Sequence, residues 1–409
     1  MRTILHCDLN SFYASVEIHN NPELRGKAVT VCGSKEDRHG IVLAKSDLAK
    51  AAGVQTGEAI WQAQQKCPEL IIVPPHYDEY LKFSRLARNI YEDYTDLIEP
   101  FGIDECWLDV TASLKLFGSG EEIAETIRQR MKDEVGLTIS VGVSFNKIFA
   151  KLGSDMKKPD AITVIPYDSF KEKIWHLPAS DMLGVGRATA HNLVYIGVET
   201  IGDLANTPEH YLKYKFGKCG SQLWYYANGL DNSPVQHMHY AAPLKSVGHG
   251  STCVEDLISD DQVHRVFIEL AQDVSHRLRK YCLKASSIQI SVRDCELGSR
   301  QYQCPLELPT QSFSEIADKA DELFRRNYGW EKDIRGLTIR AINLMPADSP
   351  IQYSLTMDIN RHNKRDKVEQ AMEKVRARYG YASINVASSY LDLKLPGRPV
   401  PNTLPTATH

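Results

Sequence analysis

The sequence predicts an α+β multidomain protein, on three observations. Short β-branched runs alternate with amphipathic helical stretches over residues 1 to about 166, and the pattern then turns helical to about 235. A polar stretch, Asn232-Ser233-Pro234 and on to Pro243, reads as a linker, and beyond it strands and two long amphipathic helices resume. With 409 residues, 43% hydrophobic and 24% charged, the chain can bury several cores.

The first strand, Thr3–Cys7, runs into Asp8-Leu9-Asn10 and straight into a helical segment, Ser11 to Glu17, a sequence that displays a carboxylate at a sheet edge. Ala28–Cys32, Trp107–Thr111, Thr138–Ser144 and Ala161–Ile165 are the next extended candidates. Gly120–Gly136 carries Ile123, Ile127 and Met131 at helical spacing. Just before the Trp107 strand stand two adjacent acids, Asp104 and Glu105. Neighbours on an extended chain face opposite ways, so these two share a target only at a turn or an irregular strand end. An exposed hairpin turn is the plain alternative. If Asp8 and this pair end neighbouring strands, three carboxylates converge, and such crowding requires a cation. Oxygen ligands with open positions suit Mg²⁺, and two such ions about 4 Å apart support in-line phosphoryl displacement.

Asp8 to Glu17 reads D-x-N-S-F-Y-A-S-V-E, and Ile103 to Asp109 reads I-D-E-x-x-L-D. Together with Ser144–Lys151 and Ser154–Pro159, they resemble the Y-family DNA polymerases, in particular their DNA polymerase IV branch, over residues 1 to 347. The resemblance implies a ferredoxin-like palm (1–10 and 77–166), small fingers (11–76), a thumb (167–235), a little finger (241–347) and a tail (348–409). It implies template-directed addition of deoxynucleoside triphosphates to primer-template DNA, as in translesion synthesis and repair of damaged DNA, by a monomer. Asp8 and Asp104 would bridge two Mg²⁺ ions, the Leu9 carbonyl would complete one site, and Glu105 would hold the ion that activates the primer hydroxyl. Phe12 and Tyr13 would line the nucleotide, Tyr13 rejecting a ribose 2′-hydroxyl. Lys50 and Lys158 align with triphosphate-binding positions. Asp47 and Lys50 depart from the tyrosine and arginine of many relatives, and lysine loses the bidentate geometry of arginine.

In the helical region, Asp181 to Ala190 holds Gly184-Val185-Gly186, read as a helix, a tight turn and a second helix, where backbone amides meet a DNA phosphate without reading sequence. In the last region, Val263, Val266, Phe267, Leu270, Val274 and Leu278 form one apolar face, and Ile316, Leu323 and Phe324 another. Strand Ser287–Arg293 alternates buried Ile288, Ile290 and Val292 with a polar face. Lys245, Arg293 and Arg340 would lie along DNA there; a solvated sheet is the alternative. After Pro346 a disordered tail is expected. In it Gln352, Ser354 and Leu355 partly match the peptide that binds the sliding clamp, and Arg361 to Arg378 has a helical pattern with Val368, Met372 and Val375 on one side.

Net charge is −4 and the pI about 6.4, so DNA binding has to rely on local basic clusters. Nine cysteines without CxxC pairs read as small buried residues in a reducing cytosol, and no apolar run approaches a membrane span, which together predict a cytoplasmic protein. Two rival functions fit the carboxylates or the DNA contacts alone. A nucleotide cyclase would not need the Tyr13 wall or the last domain, and an inactive DNA-binding accessory protein would not need three intact acids.

Overall fold

In the computed structural model, which describes residues 1–38, 40–352 and 359–396, the chain forms two compact units. The first comprises Met1–Cys32 and Val42–Ala241. The second comprises Gly33–Ile41 together with the described residues from Ala242 to 396. That short segment lies inside the stretch expected to be fingers, and its Arg38 pairs with Asp256.

The strands of the first unit are β1 (Ile4–Leu9), β2 (Val29–Cys32), β3 (Val42–Lys45), β4 (Ile71–Val73), β5 (Ile98–Pro100), β6 (Glu105–Asp109), β7 (Ile139–Ser144) and β8 (Ile162–Ile165). Five of them form one sheet in the order β5-β6-β1-β7-β8, antiparallel except for the β7–β8 pair. All six residues of β1 are buried, because the strand is central and covered on both faces. Leu5, Cys7 and Leu9 join a core with Ile123, Ile127 and Met131, and with the helix Tyr77–Glu92. Ile4, His6 and Asp8 face the helix Lys147–Met156. That helix lies close against the sheet because Gly142 has no side chain: a Cβ there would stand 1.9 Å from the Ala150 carbonyl oxygen. Between β1 and Tyr77 a separate three-stranded sheet, β3-β2-β4, closes over its own small core. Helices Arg187–Tyr195, Ile201–Asn206, Glu209–Phe216 and Lys218–Ala227 gather around Leu193, Leu204, Leu212 and Leu223.

In the second unit β9 (Ser246–Leu257), β10 (Leu283–Asp294), β11 (Ser299–Thr310) and β12 (Ile334–Pro346) form an antiparallel sheet in the order β11-β10-β12-β9. Helices Asp260–Lys280 and Phe313–Asn327 cover the face that carries Ile288, Ile290 and Val292.

Five local expectations differ from the structure. The strand expected at Trp107–Thr111 is Glu105–Asp109, because β1 pairs Cys7 with Cys106 and Asp8 with Glu105, while the Asp109 carboxylate bonds the Thr111 N–H and starts a 3₁₀ turn. The helix expected to reach Gly136 is α-helical to Arg130 and ends in a π turn, Met131–Val135. The element before Gly184 is a single 3₁₀ turn, Ala179–Asp181, because Pro178 and Gly184 leave no room for a helix. The region after Pro346 is not a disordered tail throughout: Ile359–Tyr379 is a helix packed within the second unit. Its buried positions are His362, Glu369 and Arg376, while Val368 is exposed. Ser354 and Leu355 of the clamp-like peptide lie outside the described residues, and Gln352 is exposed. The nine cysteines are free, as expected, but Cys219, Cys282 and Cys295 are exposed rather than buried. Among the described residues no helix is long and apolar enough to cross a membrane.

Candidate active site

The site forms where β1 ends. Asp8 is the partner of Glu105 across the β1–β6 ladder and of Ser140 across β1–β7. Asp104 sits in the bend just before β6, and its carbonyl accepts the Leu9 N–H at 3.1 Å. The irregular strand start thus places both acids of the pair beside the end of β1. Asn10 secures the next turn: its Nδ2 donates to Ser140 Oγ at 2.9 Å, and its Oδ1 accepts the Asp160 N–H at 2.9 Å.

Two lysines from the helix Lys147–Met156 and the loop after it stand among the carboxylates. Lys151 Nζ is 3.3 Å from Asp8 Oδ2, 3.0 Å from Glu105 Oε2 and 3.1 Å from Asp155 Oδ2. Lys158 Nζ is 2.9 Å from Asp8 Oδ2 and 2.9 Å from Asp155 Oδ1. Even so, burial pushes the Asp8 carboxyl up to about 7; Lys158 opposes the shift and the Glu105 charge adds to it. Burial and then Glu105 raise Asp104 to about 6. Burial would raise Glu105 too, but His6 and Lys151 outweigh it and hold that group down at about 2.

His6, fully buried, lies behind Glu105. Its Nδ1 is 2.8 Å from Ser154 Oγ, which itself donates to the Lys151 carbonyl. Its Nε2 faces Glu105 Oε2 at 3.4 Å, and burial lowers the ring to about 4. Among the described residues no three His, Cys, Asp or Glu side chains form a ready-made metal cage. The donor set nevertheless fits a divalent cation with open positions: it offers hard carboxylate oxygens at a strand end where burial raises Asp8 and Asp104.

Beside the carboxylates lies an aromatic wall. Phe12 is buried and Tyr13 half-buried at the start of the helix Phe12–Asn20. The Tyr13 phenol is pushed up to about 12, by burial first and the Asp104 charge second. Its ring stacks on Tyr80 at 4.1 Å and 10°, and Tyr77 meets it edge-on at 6.1 Å. Ser11 Oγ donates to Asp47 Oδ1 at 3.2 Å, so the departing Asp47 reaches the same end of β1. Lys50 is exposed in the last turn of the helix Asp47–Ala51.

Gly184 has a left-handed backbone (φ 91°), which a side chain would strain, and Gly186 caps the helix Arg187–Tyr195 with open space around its Cα. In the second unit Arg293 and Arg340 are exposed on the polar sheet face, and Arg293 lines a shallow depression of about 290 Å³ with Ser251, Ser291 and Thr338. Lys245 is exposed just ahead of β9.

Motif reading had assigned no role to His6, Glu17, Tyr80, Lys151 or Asp155. For Tyr80 the available signal was the Tyr77/Tyr80 spacing on one helix face, and for Lys151 and Asp155 their i, i+4 relation.

Comparison with known proteins accounts for the assembly. The impB/mucB/samB family matches residues 7–155 and its C-terminal domain residues 244–355, and a thumb domain described for DNA polymerase-iota matches 180–231. DNA polymerase IV of Acetivibrio thermocellus is 50% identical over 383 residues, 94% of this chain and 96% of that protein. DNA polymerase IV 1 of Bacillus subtilis is 38% identical over 380 residues, 93% and 91% of the two chains. A solved chimeric Y-family DNA polymerase superposes with a TM-score of 0.75 at 24% identity, over 84% of this chain and 99% of its own. Likeness that runs nearly end to end carries the carboxylate strand pair, the helical region and the last sheet together, and it favours neither a cyclase nor an inactive accessory protein: the chain belongs to the Y-family of translesion DNA polymerases, among the DNA polymerase IV proteins.

Proposed function

We propose that this polymerase extends a primer 3′ end with deoxynucleotides at the Asp8, Asp104 and Glu105 cluster, in the cytoplasm, during synthesis across DNA damage. The five-stranded sheet is the palm, the β3-β2-β4 sheet most of the fingers, the four-helix region the thumb and the second unit the little finger. The observation that carries the reading is the β1–β6 register, which sets Asp8 opposite Glu105 with Asp104 at the adjoining bend.

Two Mg²⁺ ions bound there would supply charge neutralisation and activation of the primer hydroxyl. Asp8 and Asp104 would hold both, the Leu9 carbonyl would complete one set, and Glu105 would hold the ion nearer the primer. Lys158, already 2.9 Å from Asp8, would exchange that carboxylate for a triphosphate oxygen. Lys50 would reach the triphosphate from the fingers as a point charge, with Asp47 tempering the local positive field. Tyr13 would pack under the sugar and exclude a 2′-hydroxyl, with Phe12 behind it. The open amides at Gly184 and Gly186 would meet DNA phosphates, as would Lys245, Arg293 and Arg340 on the last sheet. Gln352, Ser354 and Leu355 would tether the enzyme to a sliding clamp, and the enzyme would act as a monomer.

Primer extension with each of the four deoxynucleotides tests the reading. Asp8→Ala and Glu105→Ala should each lower extension by about a thousandfold or more, since each removes a charge the transition state needs, on the order of 4 kcal/mol. Both should still bind primer-template within a few-fold of wild type. Full activity in either variant would sink the assignment.

A further inference from the structure

The motif that begins at Asp8 ends at Glu17, and no step of nucleotide addition uses that carboxylate. Glu17 is buried on the helix Phe12–Asn20, four residues after Tyr13 and therefore on the same helix face. Its Oε1 accepts the hydroxyl proton of Tyr80, and His76 Nδ1 lies 2.9 and 3.1 Å from its two oxygens. The His76 N–H in turn donates to the Tyr80 hydroxyl oxygen at 3.1 Å. Tyr80 is fully buried, and its ring covers one face of Tyr13, the 4.1 Å stack. Tyr77 stands edge-on to both rings, 6.1 Å from Tyr13 and 5.9 Å from Tyr80.

A wall that rejects a single hydroxyl discriminates only as far as it refuses to move. A free phenol ring could yield by about an ångström through a small χ change at little cost. Here the ring behind Tyr13 is tied through its own hydroxyl to a buried carboxylate, so displacing Tyr13 also breaks the buried Tyr80–Glu17 hydrogen bond. We propose that Glu17 and Tyr80 are positioning residues that set the sugar selectivity of this polymerase by stiffening Tyr13. The proposal rests on the reading of Tyr13 as the wall beneath the sugar.

The experiment compares insertion efficiency for a deoxynucleotide and the matching ribonucleotide opposite one template base. The variants are Tyr13→Ala, Tyr80→Phe, Glu17→Met and the double variant Tyr13→Ala/Glu17→Met. Tyr80→Phe keeps the ring and loses the tie, and Glu17→Met keeps the volume and loses the acceptor, so both preserve the packing of this core. Each should lower the deoxy-to-ribo ratio by about three- to tenfold, the factor that corresponds to one hydrogen bond, with the change coming from the ribonucleotide. Tyr13→Ala should lower the ratio further, and Glu17→Met should add nothing in that background.

If Tyr13→Ala shifts the ratio while Tyr80→Phe and Glu17→Met leave it at the wild-type value, the positioning role is wrong and the Tyr13 wall stands. If both variants lose deoxy- and ribonucleotide insertion in equal proportion, their role is structural only and the proposal is overturned. If Tyr13→Ala leaves the ratio unchanged, the wall reading itself fails and the proposal falls with it.

Discussion

At the scale of single residues, the site is defined by acids that carry more burial than positive charge. Asp8 near 7 and Asp104 near 6 both lie above the ordinary carboxylate value, so the folded protein takes up protons that the unfolded chain releases. The stability they contribute is full below about pH 4, the unfolded value, and is lost as pH rises through 6 and 7. Glu105, held down at about 2, has the opposite sign, but its contribution is lost only on acidification below about pH 4.5, outside that window. Relative to Asp8→Asn, the metal-free wild type should therefore lose stability between about pH 4 and 7, by as much as a few kcal/mol. Excess Mg²⁺ should restore it, more at the alkaline end, where protons no longer compete. Melting temperatures of the two proteins across that range, with chelator and with Mg²⁺, check this; parallel curves in both conditions would refute it. Asp8 and Glu105 could be singled out in the sequence because one follows an apolar strand and the other precedes one, while their pairing needed the β1–β6 register. Tyr80 and Glu17 could not, since they lie 63 residues apart and their tie exists only once the helices Phe12–Asn20 and Tyr77–Glu92 are packed together.

At the scale of elements, legibility followed periodicity. Ile123, Ile127 and Met131 mark their helix face, and Ile288, Ile290 and Val292 their strand face, because apolar spacing is what burial selects. The helix Ile359–Tyr379 matches the helical pattern read over Arg361 to Arg378, but its deepest contacts are not on the side expected from Val368: it docks through polar residues seven apart, His362, Glu369 and Arg376. Glu369 accepts from Ser312 Oγ at 2.7 Å, from the Phe313 N–H at 2.8 Å and from Ser314 at its hydroxyl and amide, and it pairs with Arg279 at 3.4 Å. It thereby serves the free N–H groups at the start of Phe313–Asn327, where a carboxylate also meets the positive end of the helix dipole. Two turns on, buried Arg376 donates to the Ile384 carbonyl at 3.0 Å and to Asn385 Oδ1 at 2.9 Å. Glu369→Ala would leave several buried donors at the start of Phe313–Asn327 without their acceptor and Arg279 with Asp366 alone, at 2.9 Å, and should cost about 2–4 kcal/mol. Denaturant unfolding of the full chain measures it. A loss below about 0.5 kcal/mol, the range of an ordinary surface substitution, would mean the helix is not an integral part of the unit.

At the scale of the whole molecule, a net charge of −4 sets how such a protein can hold a polyanion. Long-range attraction is absent, so affinity has to come from a few lysines and arginines placed against phosphates, each releasing condensed counterions when it binds. Arg293 and Arg340 are placed for this: both are exposed on the polar face of the β11-β10-β12-β9 sheet, and the opposite face holds the apolar core that keeps the sheet in place. Ser291, Thr338 and Gly250 between them are small, so a phosphate backbone can approach the strands closely. Log affinity for primer-template should then fall linearly with log salt, with a slope that counts the phosphates neutralised and little dependence on duplex sequence. Arg293→Ala and Arg340→Ala should each weaken binding to any duplex by a similar factor and flatten the slope by about one. Gln289→Ala, which removes only a 3.4 Å hydrogen-bond partner of Arg340, should leave the slope in place. Titrations of each variant at several salt concentrations, on two unrelated duplex sequences, decide the matter. If both arginine variants keep the wild-type slope, this sheet face is merely solvated and DNA is held elsewhere; if one variant loses affinity for only one of the sequences, its arginine reads bases and the sequence-blind grip is wrong.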